Sequence, residues 1–291
     1  MKLSIIANPA AGGGRPYRAL RHYISRWNHA DWEVEILTTQ SPDHAGVLAR
    51  ELIRQPPDLL AICGGDGTVN EVASCIPAPP FPIAIIPAGT ANVLARELGL
   101  PLDPVKAINV ALERKVRRVD LGELGPDARR KFLFVAGIGF DAYAVFRVWP
   151  KLKKTLGIAA YVAASADCLL NYSFPEFRVT ADGENFRATS CLVCNAKSYG
   201  GGLTFCPNAD MADGLLDLLI LQGRRRLALA WFLLLAWFGK PETGDWIHRL
   251  RAKTVRIEGP GEVLIQADGE LAGTLPLNAS LINATFPLVI P

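Results

Sequence analysis

Nothing in this 291-residue chain reads as a membrane-spanning helix. The apolar run "LALAWFLLLAWF", Leu227 to Phe238, has twelve residues, whereas a spanning helix needs about 20. Two readings stay open for it. It is a buried helix, or, with Arg224, Arg225 and Arg226 just before it, a helix lying at a membrane surface. Cysteine is also scarce. Cys63, Cys75, Cys168, Cys191, Cys194 and Cys206 form no dense disulfide framework. Cys191 and Cys194 make a C-x-x-C, but within strand-like "SCLVCNA". No second C-x-x-C or H-x-x-x-H offers the further ligands that zinc needs. The thiols are read as reduced core residues in a cytoplasmic protein. Net charge is only +3, with pI about 8.5. That excludes a strong nucleic-acid signature and leaves room for anions or an acidic membrane surface. The motif G-x-x-x-x-G-K-[ST] is missing, so this is not a Walker-type ATPase. "GIGFDA", Gly137 to Ala142, matches the dinucleotide pattern loosely, but "AAYV" stands about twenty residues on, where a ribose-binding acid belongs. "MKLSIIANPAAGGG" has too short an apolar run for a signal peptide. Repeats and low-complexity linkers are absent.

What is present is half hydrophobic and one-fifth charged, enough for a real core. Over the first 120 residues strands and helices alternate. "LSIIANP", "WEVEILTT", "DLLAIC" and "FPIAIIPAGT" read as strands. "RPYRALRHYISRW", "HAGVLARELIR", the stretch after Gly67 with Val69, Val72, Ala73 and Ile76, and "ANVLAREL" read as helices. Such alternation predicts a parallel sheet with helices on its faces. After "RRVDLGEL" the pattern becomes mostly strands and turns. Helical stretches at Gly157 to Leu170 and Leu227 to Phe238 interrupt it. The expected fold is an N-terminal α/β domain, residues 1–122, followed by a mostly antiparallel β domain, residues 123–291.

Three glycine loops follow strands in the first domain. They are "ANPAAGGGRPY", with Gly12, Gly13, Gly14, Arg15 and Arg18; "GGDGT", Gly64 to Thr68; and "PAGTAN", with Gly89 and Thr90. Strand, glycine loop and helix start together gather free N–H groups, a site for phosphate. In a doubly wound sheet all three fall at the carboxyl ends of the strands, where ligands bind. Thr90 is expected as a helix N-cap. Asp66 would repel bare phosphate, so it suggests a magnesium ion or a hydroxyl hydrogen bond beside it. "SYGGG", Ser198 to Gly202, either shapes a substrate cleft or turns a hairpin.

In the family's order, "ANPAAGGG", "GGDGTVNEVA", "PAGTANVLAREL", "VDLG", "AGIGFDA", "NAKSYGGGLTFCPNADMADGLLDL" and "QADGEL" resemble the diacylglycerol kinase catalytic-domain family. Its relatives include YegS-like bacterial lipid kinases and the sphingosine and ceramide kinases. The resemblance covers nearly the whole chain and implies a fold like those of NAD kinase and diacylglycerol kinase. It also implies an ATP- and Mg²⁺-dependent lipid kinase that passes the γ-phosphate to a hydroxyl of a membrane lipid. Gly64, Gly65, Asp66, Gly67, Thr68, Val69, Asn70, Glu71, Gly89, Thr90 and Thr39 are then nucleotide contacts. Glu270 of "DGE" is the general base, and Asp66 and Asp120 are members of an acidic network near the phosphates. Asp213, with the backbone carbonyls of Asp210 and Leu215, is a structural magnesium site. Val93 stands where bacterial members often carry an aspartate of that network. On the residues alone, Glu270 reads as part of an exposed hairpin turn and "NADMADG" as a solvated acidic turn. The expected setting is cytoplasmic and peripherally membrane-associated, with the site in a cleft between domains. Oligomeric state is left open, a homodimer being one option. The alternatives are an NAD kinase-like phosphotransferase and a non-catalytic nucleotide-binding regulator.

Overall fold

Four short apolar strands pair in parallel at the N-terminal end of the chain. They are β1 (Lys2–Ala7), β2 (Glu33–Thr38), β3 (Leu59–Gly64) and β4 (Ile83–Pro87), in the order β2-β1-β3-β4. The computed structural model describes residues 1–27, 31–125, 130–147, 167–199, 203–238 and 244–291. β3 and β4 are buried along their whole length. A parallel strand covered on both faces reads as this kind of unbroken apolar run. On one face Leu3, Ile5, Leu59, Ala61, Ala84 and Ile86 pack with Leu20 of α1 (Arg15–Ile24) and with Ala107, Ile108 and Ala111 of α5 (Pro104–Glu113). The alternate residues Ile6, Leu60, Ile62 and Ile85 are buried on the other face. There α2 (His44–Leu52) and α3 (Asp66–Cys75) pack against each other and against β1 and β3. A short α4 (Val93–Glu97) follows β4.

The sequence reading omits α5. Its start is conventional: Asp103 accepts a hydrogen bond from the Lys106 N–H at 2.9 Å, and proline occupies the first turn.

The chain divides into two compact units, Met1–Leu121 with Asn283–Pro291, and Gly122–Ile282. It passes from the first to the second within β5 (Val116–Leu124) and returns within β18 (Leu277–Val289). A single cut at 122/123 would leave the C-terminal strand with the second domain. Instead the end of β18 runs parallel beside β4, with Leu288 opposite Ile83.

The second unit is a β-sandwich. Its strands are β6 (Arg130–Phe132), β7 (Val135–Gly139), β8 (Phe177–Ala181), β9 (Glu184–Ala188), β10 (Ser190–Cys194), β11 (Ser198–Tyr199), β12 (Leu203–Thr204), β13 (Leu216–Leu221), β14 (Ile247–Ala252), β15 (Val255–Glu258), β16 (Leu264–Ala267) and β17 (Glu270–Thr274), with the start of β18. One sheet is antiparallel throughout, in the order β14-β13-β10-β7-β16-β17. The opposing layer sets β15 antiparallel to β18 and β8, and β8 to β9, with β6 beside β5. Alternate residues of the two layers meet in one core. Ile138, Val193, Leu218, Ile220 and Ile265 face Val179, Val255, Ile257, Leu277 and Phe132. Cys191 lies in that core, and burial pushes its thiol well up; the Cys194 thiol is pushed up by its hydrogen bond with Cys206 and, after that, by burial. All six thiols are free.

Among the described residues α6 (Phe140–Arg147) and α7 (Arg226–Trp237) interrupt the strands of the sandwich. The first was not anticipated. The helix expected at Gly157 to Leu170 lies mostly outside the described residues, of which 167–171 are helical. The glycines of "SYGGG" also lie outside them. The apolar run forms α7, with one side buried and the other exposed. Leu229, Phe232 and Ala236 are buried, while Leu227, Trp231 and Leu234 are exposed. Among the described residues no helix is long and apolar enough to cross a membrane.

Gly122 marks a tight point of the sandwich. A Cβ there would sit 2.1 Å from the Phe132 ring, which is fully buried. Gly122→Ala is expected to cost about 1–3 kcal/mol through overpacking. Gly261→Ala, whose Cβ meets nothing within 4 Å, should stay within about 0.5 kcal/mol of the parent. Urea unfolding of both variants checks the contrast.

Candidate active site

The glycine loops occupy the carboxyl ends of β1, β3 and β4, and backbone bonds tie them together. The Asn8 N–H donates to the Cys63 carbonyl at 2.8 Å, and the Ala88 N–H to the Gly64 carbonyl at 2.9 Å. Asn8 Nδ2 reaches Thr68 Oγ1 at 3.4 Å. Gly65 and Gly89 approach so closely that a Cβ on Gly89 would lie 2.7 Å from the Gly65 Cα. Much of the bare backbone is therefore required by the neighbouring loop itself. Gly12, Gly13 and Gly14 are all left-handed, with φ of 55°, 66° and 75°. They lead into α1, and Arg18 folds back to donate to the Gly13 carbonyl at 3.3 Å.

Asp66 has a structural partner that sequence spacing could not show. Its carboxylate accepts from the Val93 N–H at 3.0 Å and the Leu94 N–H at 3.1 Å. It thus caps α4 from a different loop, 27 residues away in sequence. Burial pushes the Asp66 pKa up, while these backbone donors pull against it. Thr90, expected as the helix cap, is exposed and outside α4. Asn92 holds the N-cap position in the left-handed region, and its side chain clamps the Gly89 N–H (2.8 Å) and carbonyl (2.9 Å). The Val93 side chain is buried and its amide serves Asp66.

Glu71 faces another helix end, accepting from the Ala45 N–H of α2 at 3.1 Å. Thr68, Val69 and Asn70 are buried, and Asn70 Oδ1 is a buried oxygen without a hydrogen-bond partner. Gly67 is exposed in the first turn of α3. Thr39 follows β2 and donates its N–H to the Ala7 carbonyl at 2.9 Å. Asp120 is buried and accepts from the Ala284 N–H at 2.5 Å. The first unit thus gathers Gly64 to Thr68 with Gly89, whereas the side chains of Asp66 and Glu71 serve helix ends.

In the second unit, "QADGE" turns from β16 into β17. Asp268 accepts three backbone bonds, from the N–H groups of Leu133 (2.6 Å), Phe134 (3.0 Å) and Val135 (3.0 Å). Gln266 is fully buried; it donates to Asp141 at 2.6 Å and accepts from the Gly269 N–H at 2.7 Å. Burial pushes the Asp141 carboxyl up to about 6, against the lowering effect of that Gln266 bond. Glu270 emerges exposed from this anchored turn and pairs with Arg130 Nη2 at 2.6 Å. Arg130, Asp141, Gln266 and Asp268 escaped the sequence reading, although "AGIGFDA" and "QADGEL" both carried the signal.

The expected magnesium loop is held by its own bonds. Asp213 accepts from the Leu215 N–H at 3.0 Å, Asp210 from the Ala212 N–H at 3.0 Å, and the Asp210 carbonyl takes the Asp213 N–H at 3.4 Å. The second carboxylate oxygen of Asp213 lies 3.3 Å from Arg251, which also pairs with Asp217 at 3.3 Å and donates to the Asn208 carbonyl at 2.6 Å. A divalent ion on Asp213 would share that carboxylate with the Arg251 guanidinium. Among the described residues no cluster of three or more His, Cys, Asp or Glu side chains is placed to hold a metal ion.

Comparison with known proteins now adds to this geometry. Residues 2–124 match the family model of the diacylglycerol kinase catalytic domain, and residues 135–290 that of the YegS C-terminal NAD kinase beta sandwich-like domain. A diacylglycerol kinase of Mycobacterium tuberculosis is 33% identical, the match covering 100% of this chain and 95% of the relative. That of Bacillus subtilis is 28% identical over 94% of this chain and 90% of the relative. A crystal structure from Bacillus anthracis, provisionally a diacylglycerol kinase, superposes with a TM-score of 0.84 at 26% identity, covering 100% of this chain and 95% of that one. An Archaeoglobus fulgidus NAD kinase in complex with ATP shares the fold, with a TM-score of 0.53 at 12% identity over 99% and 93% of the chains.

Asp141 sets a pH signature. Between about 4 and 6 the folded chain keeps a proton that the unfolded chain has released. Its contribution to stability is therefore full below about 4 and declines as pH rises to about 6. Melting temperatures across this window should depend less on pH in Asp141→Asn than in the parent; parallel curves would remove the assignment.

Proposed function

The chain belongs to the diacylglycerol kinase family, and on that premise we propose that it transfers the γ-phosphate of ATP to the hydroxyl of a membrane lipid. The observation that carries this reading is the convergence of the β1, β3 and β4 loops in the first unit. Gly64 to Thr68 and Gly89 give a rim of bare backbone beside the start of α3, the kind of surface a polyphosphate uses, with Arg15 and Arg18 exposed after β1. Asp66 orders the rim by capping α4, and Gly67 opens the first turn of α3 to solvent.

Phosphoryl transfer needs in-line positioning and charge stabilisation more than covalent chemistry. Magnesium, arriving with the nucleotide, would spread charge over the transferred group. Glu270 is the acceptor-side base in this proposal. Arg130 engages its Oε2 and fixes the direction of the carboxylate, so that Oε1 is offered to the alcohol. A carboxylate is a weak base for an alcohol. It orients the hydroxyl first and takes the proton late, as the P–O bond forms. The acceptor class is a lipid with a free hydroxyl, as the names of the curated relatives indicate. The enzyme would work as a peripheral, cytoplasmic protein at the membrane surface. The NAD kinase likeness is one of fold.

The test uses purified protein, labelled ATP, Mg²⁺, a total lipid extract and, separately, NAD. A new phosphorylated lipid and unchanged NAD are expected. Glu270→Gln should keep ATP binding and lose about 10²–10⁴-fold in transfer. Full turnover in that variant would strip Glu270 of its role.

A further inference from the structure

We propose that the outward face of α7 docks this protein on an anionic phospholipid bilayer. The inference rests on the lipid-kinase reading only for why an interface would be needed; the surface is independent of it. Leu227, Trp231, Leu234 and Phe238 follow one another at helical spacing and are 88%, 53%, 47% and 67% exposed. Together they form an apolar stripe along the whole helix. Single exposed apolar residues are ordinary, but an aligned set of large ones marks an interaction surface.

The stripe has no route inward. The opposite side of α7 is already committed, with Phe232 stacked on Phe205 at 6.1 Å and edge-on to Trp246 at 6.2 Å. The N-terminus of the helix is pinned too. Arg226 donates to the carbonyls of Leu169, Leu170 and Tyr172 and lies 5.6 Å from the centre of the Phe174 ring. That clamp brings the turn carrying Leu170, which is 73% exposed, to the start of the stripe.

Charge selects the occupant. From Arg224 to Phe238 the chain carries three arginines and no acid. Arg226 is used in the clamp and Arg225 meets Asp245 at 3.3 Å in solvent, while Arg224 is exposed beside them. A second copy meeting it face to face would bring the same acid-free segment and no counter-charge for it. An anionic headgroup layer supplies that charge and an acyl boundary for the stripe. At twelve residues, α7 is about 18 Å long. It is too short to span, and it suits a helix lying in the interface with Trp231 at headgroup level.

Vesicle flotation tests this. Phosphatidylcholine vesicles are compared with vesicles holding about one-third phosphatidylglycerol. The parent should float at least tenfold more with the anionic vesicles. Combined Leu227→Ser, Trp231→Ser and Leu234→Ser should abolish flotation, and Arg224→Gln with Arg225→Gln should remove the anionic preference. Both variants should phosphorylate a water-soluble, short-chain diacylglycerol at the parent's rate. Undiminished flotation of the serine variant overturns the proposal. So does light scattering that finds a parent dimer dissolved by those serines while flotation is unchanged. If no protein phosphorylates the soluble lipid yet flotation follows the stripe, the kinase reading fails and the docking surface stands.

Discussion

One buried contact shapes the first unit: the Asp66 carboxylate on the amides of Val93 and Leu94. It joins the loop after β3 to the helix after β4, and Gly65 and Gly89 let the two backbones come together. Burial makes the charged form costly, and the helix-end donors offset part of that cost. The backbone of the two loops is thereby held in place by the protein's own bonds.

The second unit repeats the principle with different residues. Asp268 gathers three amides of the segment entering β7, and Gln266 bridges Asp141 and the turn at Gly269. These groups are held by backbone and by one another. Glu270, next along the chain, is left exposed with Arg130 as its partner. In both units part-buried acids hold the backbone of neighbouring segments together.

Much of this was legible in the amino-acid pattern because it is local. Alternating apolar runs and helical repeats marked β1 to β4 and α1 to α4, and the glycine loops fell at their ends. The β-sandwich followed from short strands with turns between them. What the pattern could not show is tertiary. An aspartate in a phosphate loop looks like a metal or hydroxyl partner until the distant amides of Val93 and Leu94 are placed beside it. Thr90 looked like a cap because the true one combines Asn92 with a residue from another loop. Arg251 is far in sequence from Asp213, so nothing in "NADMADG" announced a guanidinium there. The apolar run of α7 carried too little polar residue to separate its faces, and packing of Phe232 against Phe205 decided which side is buried.

Calorimetric titration of magnesium–ATP into the parent and into Gly89→Ala tests the triphosphate rim most directly. A Cβ at position 89 would stand 2.7 Å from the Gly65 Cα, so the two loops must separate. Binding in the parent, weakened about tenfold or more in a variant that remains folded, is the expected result; tenfold corresponds to about 1.4 kcal/mol. Equal affinity in the two proteins, or no heat of binding in the parent, would contradict a nucleotide held by these loops.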